Sequence, residues 1–459
     1  MEQLELVRQI LDALPPLDHS VGDRLPLYLW GLRGMPTSSE TMARELLQEA
    51  AARGLAFVAV WDHDNLAESV AEALKLGRLQ QELGLSIGAD AIKPLYAFCD
   101  GSPETAHVDE AGEPFFDHSH SPNRPIGCPF ALGHRYAEIS GRIHAFAQAF
   151  QDAGLPLDFV YSDWEIDGPL EWNDALEHIR RCTRCQAELS DLDDFGHVQR
   201  TLRRIRAKMQ RECFAQPILQ RYPRALVGNY AVYNHGGMRY WYDYFERVNL
   251  DLPHTCDQRE PSRPWAHEYP ETGYTFGMPV LYTWYRTYDW YDFENGDYHW
   301  FYNMLKVASN AGRHKPAGHT LITFVHHTLT DPPEGGAEPH IQPMSVEAYQ
   351  ELLWHALLRG HDAFFSWSPN DVAVHEAVVA QQVYNQSLAY GDFLAHGQPV
   401  TFAIPPEPGT VVSALRAGGR LLVRRTDFGG DGRPHSLVVD GHRIEVPAAP
   451  GVCQILDLR

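Results

Sequence analysis

The stretch LDFVYSDWEIDGP, Leu157 to Pro169, opens on apolar and aromatic residues and turns acidic within a few positions. In an extended strand, residues two apart face the same side, about 6.5–7 Å from one another. Asp163, Glu165 and Asp167 would therefore share one face where a buried strand runs out. Gly168 and Pro169 then break the strand, and a helical pattern follows from Glu171 to Arg181. Carboxylates gathered at the end of a hydrophobic strand are costly to bury, so this pattern marks a candidate site. The plainer reading is that they cap the next helix or pair with arginines.

The same strand-then-helix unit recurs on both sides. Upstream, an amphipathic N-terminal helix closed by Pro15 and Pro16 leads into a strand at Leu25 to Trp30. A helix from Ser39 to Arg53 ends at Gly54, a strand runs from Leu55 to Trp61, and a helix from Leu66 to Leu83 ends at Gly84. A weaker strand at Ile92 to Phe98, a polar loop from Cys99 to Cys128 and a helix from His134 to Ala153 precede the opening stretch. Downstream come a long helical region from Trp172 to Gln220, interrupted near Ser190 to Asp194, and strands at Ala225 to Tyr233 and Met278 to Trp284. A helix around Tyr298 to Ala311 follows. The last two units pair a strand at Thr320 to His326 with a helix at Ser345 to Arg359, and a strand at Ala363 to Trp367 with a helix at Val374 to Tyr390. Eight such units predict an α/β fold, a (β/α)8 TIM barrel over residues 1–390. Residues 391–459 change to short alternating strands between Gly and Pro turns, among them Thr410 to Leu415, Arg420 to Arg425, Ser436 to Val439 and Val452 to Leu458. They predict a small, sandwich-like antiparallel β-domain.

The chain of 459 residues carries a formal charge of −22, which repels nucleic acid and anionic membrane surfaces. No run of about 18 apolar residues and no secretion signal is visible, so a membrane span is not expected. Seven cysteines, an odd number, read as free thiols and point to a cytoplasmic location.

In such a barrel the chemistry sits on the loops after the C-terminal strand ends. The candidates by position are Trp30, Asp62, Tyr230, Tyr282, Trp284, His326 and Trp367, together with Asp163, Glu165 and Asp167. Rings fill about a third of the positions from Tyr230 to Tyr302. Flat apolar faces with polar edges above a barrel mouth suit stacking on sugar rings, although Tyr298, Phe301 and Tyr302 have the spacing of a helix core.

Asp163-Trp164-Glu165 resembles the D-x-E signature of barrel glycoside hydrolases of the chitinase and hyaluronidase type. The resemblance implies that Glu165 is the general acid and that Asp163 orients a substrate acetamido group acting as nucleophile. It also implies that Trp367 floors a sugar subsite. A like-charged neighbour raises one carboxyl pKa and keeps an acid protonated near neutrality. Retaining barrels with glutamates after strands four and seven offer a second comparison, but here strand seven runs into TFVHHTLTD, with Asp331 the nearest carboxylate and His326 and His327 at the strand end. A third comparison, with α-galactosidase-like barrels, makes Asp163 the nucleophile and Asp289 or Asp292 the acid. Carboxyl separations of about 5–5.5 Å or 6.5–9.5 Å would distinguish retaining from inverting pairs.

The expected activity is hydrolysis of O-glycosidic bonds in an oligo- or polysaccharide, with a 2-acetamido sugar as the substrate where the chitinase resemblance holds. Asp167, Trp30, Asp62, Tyr230, Tyr282, Trp284, His326 and Trp367 are the expected substrate contacts. No cofactor or metal is expected. Two other classes stay open: a non-catalytic carbohydrate-binding barrel, and a metal-dependent sugar isomerase or deacetylase using Asp62, His63 and Asp64 with His235 and His326. Cys182 and Cys185 form a C-x-x-C inside a helical pattern, with His178, His197 and Cys213 as the only further ligand types nearby in sequence.

Overall fold

The structure, a computed structural model, describes residues 3–119, 122–164, 175–238, 263–334, 336, 340–429 and 435–458. Eight parallel strands carry the fold: β1 (Leu27–Arg33), β2 (Leu55–Asp62), β3 (Gly88–Ile92), β4 (Phe159–Asp163), β5 (Leu226–Asn229), β6, β7 (Thr320–Thr330) and β8 (Ala363–Ser366). The sixth strand comes in two segments, Phe276–Gly277 and Val280–Trp284, both paired with β7 and separated at Pro279, which has no N–H to give to a ladder. Neighbours along the sheet run β5-β4-β3-β2-β1-β8-β7-β6, the cyclic order of a nearly closed (β/α)8 barrel.

Local signals explain most of the elements. Ser39, Asn295 and Ser345 each accept an N–H from the first turn of the helix they precede, at 3.4, 2.9 and 3.2 Å. Strands buried on both faces read as near-continuous apolar runs, and β6 and β8 are buried throughout.

Three expectations need correction. The third strand is Gly88–Ile92, not Ile92 to Phe98. Its residues are small, Gly-Ala-Asp-Ala, and lack the branched apolar signature of a strand. The run after it turns through Lys93 and Ala97, both at positive φ, so Leu95 and Phe98 reach the core from a turn. The helical region after β4 is interrupted near Ser190 to Asp194 as expected, but it is also broken at Cys182: among the described residues it comprises the helices Leu176–Arg181, Thr183–Glu188 and Phe195–Met209, a widened π turn at Gln210–Ala215 and a short helix Gln216–Leu219. That turn lies just before Pro217, whose ring cannot continue the normal hydrogen bonding. Cys182 is therefore not inside a helix: it ends one and precedes the next with extended φ and ψ of −81° and 121°.

The chain divides into two compact units, Met1–Val58 with Gly277–Arg459, and Ala59–Phe276. The first contains two antiparallel sheets near the C-terminus. One is β9 (Gln398–Pro399), β10 (Thr410–Ala417), β11 (Arg420–Asp427) and β14 (Gln454–Asp457), in that order. The other is β12 (His435–Val439) paired with β13 (His442–Val446). Val412, Ala414, Leu421 and Val423 of the larger sheet share a core with Leu437, Val439 and Val446 of the smaller. In the same unit Glu351 forms an ion pair with Arg424, and buried His355 bonds Ser413 at 2.7 Å and Thr426 at 3.0 Å, tying the larger sheet to the helix Val346–Leu357. The six described cysteines are buried and none forms a disulfide, and no described helix is long and apolar enough to cross a membrane.

Candidate active site

In the first unit, strand register sets four of the sequence candidates level. His326 of β7 is opposite Tyr282 of β6. Val325 is opposite Ser366 of β8, which is opposite Leu29 of β1. The next residues along, His326, Trp367 and Trp30, therefore stand at the same height on consecutive strands, Trp367 just past the end of β8 and His326 and Trp30 within β7 and β1, both of which run on further than the sequence implies. Tyr282 stacks on Trp367 with centroids 5.6 Å apart and a 29° interplanar angle. The His326 ring meets Trp367 edge-on at 4.7 Å and Tyr282 at 5.9 Å. Trp30 packs edge-on against Phe324 and Phe365, one step lower, and the Arg33 guanidinium covers its outer face 3.1 Å from the centroid. Tyr282 is buried, whereas Trp367 and Trp30 keep part of their surface open. Trp284 lies two residues beyond Tyr282 and is buried.

The two histidines of TFVHH have opposite tasks, as strand alternation requires. His327 turns outward: its Nε2–H donates to Met344 O at 2.8 Å, and its Nδ1 shares a hydrogen bond with His375 Nε2 at 3.2 Å. Burial holds its pKa below the usual histidine value, only partly opposed by Met344 O and Glu376. His326 turns toward Tyr282 and Trp367, and its Nδ1 lies 3.1 Å from Glu376 Oε1. Glu376, on the helix Ala373–Ser387, is 1% exposed, so its partners decide whether it can be ionised there. Its carboxylate accepts the His327 N–H at 2.9 Å, the Thr328 N–H at 2.9 Å and the Thr328 hydroxyl at 3.0 Å. Burial alone would raise its pKa; the His326 ring and these N–H groups reverse that and hold it below the usual glutamate value. The His326 ring is thus in ion-pair contact with a buried carboxylate, its Nδ1 not aligned for a hydrogen bond to it.

In the second unit, β4 ends in a clamp. Asn229 at the end of β5 accepts the Trp164 N–H at 3.2 Å and donates to Trp164 O at 3.1 Å, so both faces of that residue's backbone are held by one side chain. Asn229 also donates to Gln210 at 3.3 Å, and Gln210 donates to Glu268 at 3.2 Å. Buried Glu268 lies 2.9 Å from Arg206 and 3.7 Å from Arg203. Burial raises its pKa, but Arg206, Arg203 and Arg263 outweigh that and keep it below the usual value. The Arg206 guanidinium in turn sits 5.1 Å over the Trp164 ring. Asp163 itself is half-buried at the strand end, level with Ile92 of β3. Tyr230 donates its N–H to Ser162 O at 3.0 Å and is buried.

The remaining candidates fare differently. Glu165 and Asp167 lie outside the described residues. Asp62, His63 and Asp64 offer ligand atoms within 4.8 Å of one another, but both Asp62 oxygens are engaged locally, by the Asp64 N–H and the Asn65 amide, each at 3.0 Å. That arrangement turns the chain into the helix Leu66–Glu82. Asp289 and Asp292 are exposed. Asp331 bonds Arg286 at 3.1 Å. Glu376 and Asn229 were not among the candidates; each acts on a residue far from it in sequence, and a lone helix glutamate or strand-end asparagine carries no motif.

No protein-family model and no curated protein sequence matches the chain. Solved structures do. It is similar to α-L-fucosidase isoenzyme 2 from Paenibacillus thiaminolyticus, with 13% identity, a TM-score of 0.43 and coverage of 82% of this chain and 51% of that one. It is similar to the GH36 α-galactosidase AgaA from Geobacillus stearothermophilus, in complex with raffinose, with 12% identity, a TM-score of 0.42 and coverage of 96% and 56%. It is also similar to a GH27 β-L-arabinopyranosidase from Geobacillus stearothermophilus, with 10% identity, a TM-score of 0.41 and coverage of 88% and 84%. The chain thus spans about half the length of the first two of these proteins.

Proposed function

We propose that the protein is a glycoside hydrolase that cleaves O-glycosidic bonds of an oligo- or polysaccharide. The observation that carries this reading is the level row of Trp30, Trp367, His326 and Tyr282, in which a positioned imidazole sits between aromatic rings. Rings with partly open faces bind the apolar faces of sugars, and a fixed ring nitrogen hydrogen-bonds a sugar hydroxyl. Asp163 supplies a carboxylate at the end of β4, beside a backbone that Asn229 keeps in one orientation. Glu165 is the proposed general acid, and Asp163 the group that orients an acetamido substituent or attacks the anomeric carbon; both roles rest on the D-x-E resemblance. The fucosidase, galactosidase and arabinopyranosidase similarities agree with a glycosidase without naming the sugar.

The test is product release from a panel of aryl glycosides and oligosaccharides, 2-acetamido sugars included, with calorimetric binding measured alongside. Release from at least one sugar class, weakened in Trp367→Ala, is the expected result. Saturable binding with no release from any substrate bound would contradict hydrolysis and favour a carbohydrate-binding barrel.

A further inference from the structure

The polar loop after β3 and the segment after β4, both in the Ala59–Phe276 unit, meet at four side chains that the glycosidase reading does not use. Cys182 stands at the break between the helices Leu176–Arg181 and Thr183–Glu188, and Cys185 follows inside the second. Cys128 and His107 come from the loop. Cys128 Sγ lies 3.6 Å from Cys185 Sγ and 3.8 Å from Cys182 Sγ. One ligand atom from each of the four residues falls within 4.8 Å of all the others, and all four residues are buried.

These separations discriminate between bonding types. A disulfide needs sulfurs about 2.05 Å apart, so none joins these thiols. Four ligands at about 2.3 Å for sulfur and 2.0–2.1 Å for nitrogen around a tetrahedral ion place their atoms roughly 3.5–3.8 Å apart. The two sulfur separations fall at that tetrahedral edge. His107 supplies an independent sign. Both of its ring nitrogens are buried without a hydrogen-bond partner, an arrangement that is costly in a protein interior unless something else satisfies one of them. The ring is held in place by Phe115, stacked at 5.1 Å and 21°.

The surrounding backbone is built to bring the ligands together. The Cys128 N–H bonds Thr105 O at 2.7 Å. Gly127 passes so close to Thr105 that a Cβ there would lie 2.6 Å from its hydroxyl and 2.9 Å from its carbonyl oxygen. Thr183 donates to Val108 O at 3.0 Å and Arg184 to Ala106 O at 3.0 Å, fastening the C-x-x-C segment to the backbone on either side of His107.

We propose that His107, Cys128, Cys182 and Cys185 bind one zinc ion that staples the loop after β3 to the segment after β4. Three thiolates and an imidazole are a closed structural set of the Cys3His kind, with no position left for water or substrate. The mixed sulfur and nitrogen donors favour zinc over hard cations. Binding converts three thiols to thiolates and releases their protons, so the site is occupied near neutral pH and loses its ion on acidification.

The test uses the full chain, expressed with zinc in the medium and purified without chelators. Elemental analysis is expected to find one zinc per chain, retained on dialysis and released stoichiometrically by a mercurial that captures thiolates. Exchange with Co(II) is expected to give the intense visible bands and thiolate charge-transfer absorption of a tetrahedral sulfur-rich site. Cys185→Ser is expected to lose the metal while Cys213→Ser, at a buried cysteine outside the cluster, keeps it. If the Cys185→Ser variant does not fold, the wild-type zinc content and cobalt spectrum decide the matter. Wild-type protein without bound zinc, whose thiols neither take up zinc nor give a cobalt spectrum, would overturn the proposal. Because neither readout depends on sugar hydrolysis, failure here leaves the glycosidase reading standing, and the reverse also holds.

Discussion

Replacing Glu376 by glutamine perturbs the device that holds His326. The wild-type carboxylate takes the His327 N–H on both oxygens, at 3.0 and 2.9 Å, while Oε1 also serves the Thr328 N–H and the Thr328 hydroxyl and lies in ion-pair contact with His326 Nδ1 at 3.1 Å. Glutamine can place its carbonyl oxygen at the Oε1 position and keep most of these bonds. Its NH2 must then face the His327 N–H, donor against donor, and the remaining bonds lose their charge. An opposed buried donor costs about 1–3 kcal/mol, so a net loss of about 2–3 kcal/mol is expected. Alanine would orphan both N–H groups and cost about 3–5 kcal/mol, a large share of a typical 5–15 kcal/mol stability. A pH series gives the sign. Because the folded carboxyl lies below its ordinary value of 4.5, its contribution is fully present above that value and is lost as pH falls through the folded value. Urea unfolding at neutral and acidic pH is the assay: the wild type should lose more stability on acidification than Glu376→Gln, whose side chain does not titrate. Equal stability at neutral pH together with an identical acid response would refute the network.

Three shorter predictions address other parts of the site. Glu268→Ala leaves Arg203 and Arg206 buried without their shared carboxylate and should lower stability by about 3–5 kcal/mol in urea unfolding. Asn229→Ala removes both bonds to the Trp164 backbone and should reduce kcat by about tenfold or more with a smaller change in KM, since it misorients Asp163 without removing a binding surface. Trp367→Ala should weaken saccharide binding by about 1–2 kcal/mol in calorimetry, because it removes the ring that contacts both Tyr282 and His326.

The barrel was legible because parallel strands covered on both faces must be continuously apolar, and stretches such as LAFVAVW and TLITFVHH have no polar alternation. The third strand escaped because GADAI is built of small residues, while the more apolar run just after it is spent on a turn that passes through positive φ at Lys93 and Ala97. Trp30, Tyr282, His326 and Trp367 were legible as residues on the barrel strands, and the register brings them level, but β1 and β7 run past Trp30 and His326 to Arg33 and Thr330. What could not be seen was how such residues are held. Glu376 reaches back 49 positions to His327, and Asn229 reaches 65 positions to Trp164, distances at which no local pattern survives. The same applies to the cysteine cluster: the C-x-x-C was visible, but Cys128 lies 54 residues before Cys182, and the ligands nearest in sequence are not the ones brought together.

The central claim concerns sugar-bond cleavage with Glu165 as general acid, and Glu165→Gln tests it most directly. Glutamine keeps the shape and removes the transferable proton, so hydrolysis of a glycoside with a poor leaving group should fall by about 10²–10⁴-fold while circular dichroism and saccharide affinity stay close to wild type. Turnover of that substrate at near wild-type rate by the folded Gln variant would contradict the account.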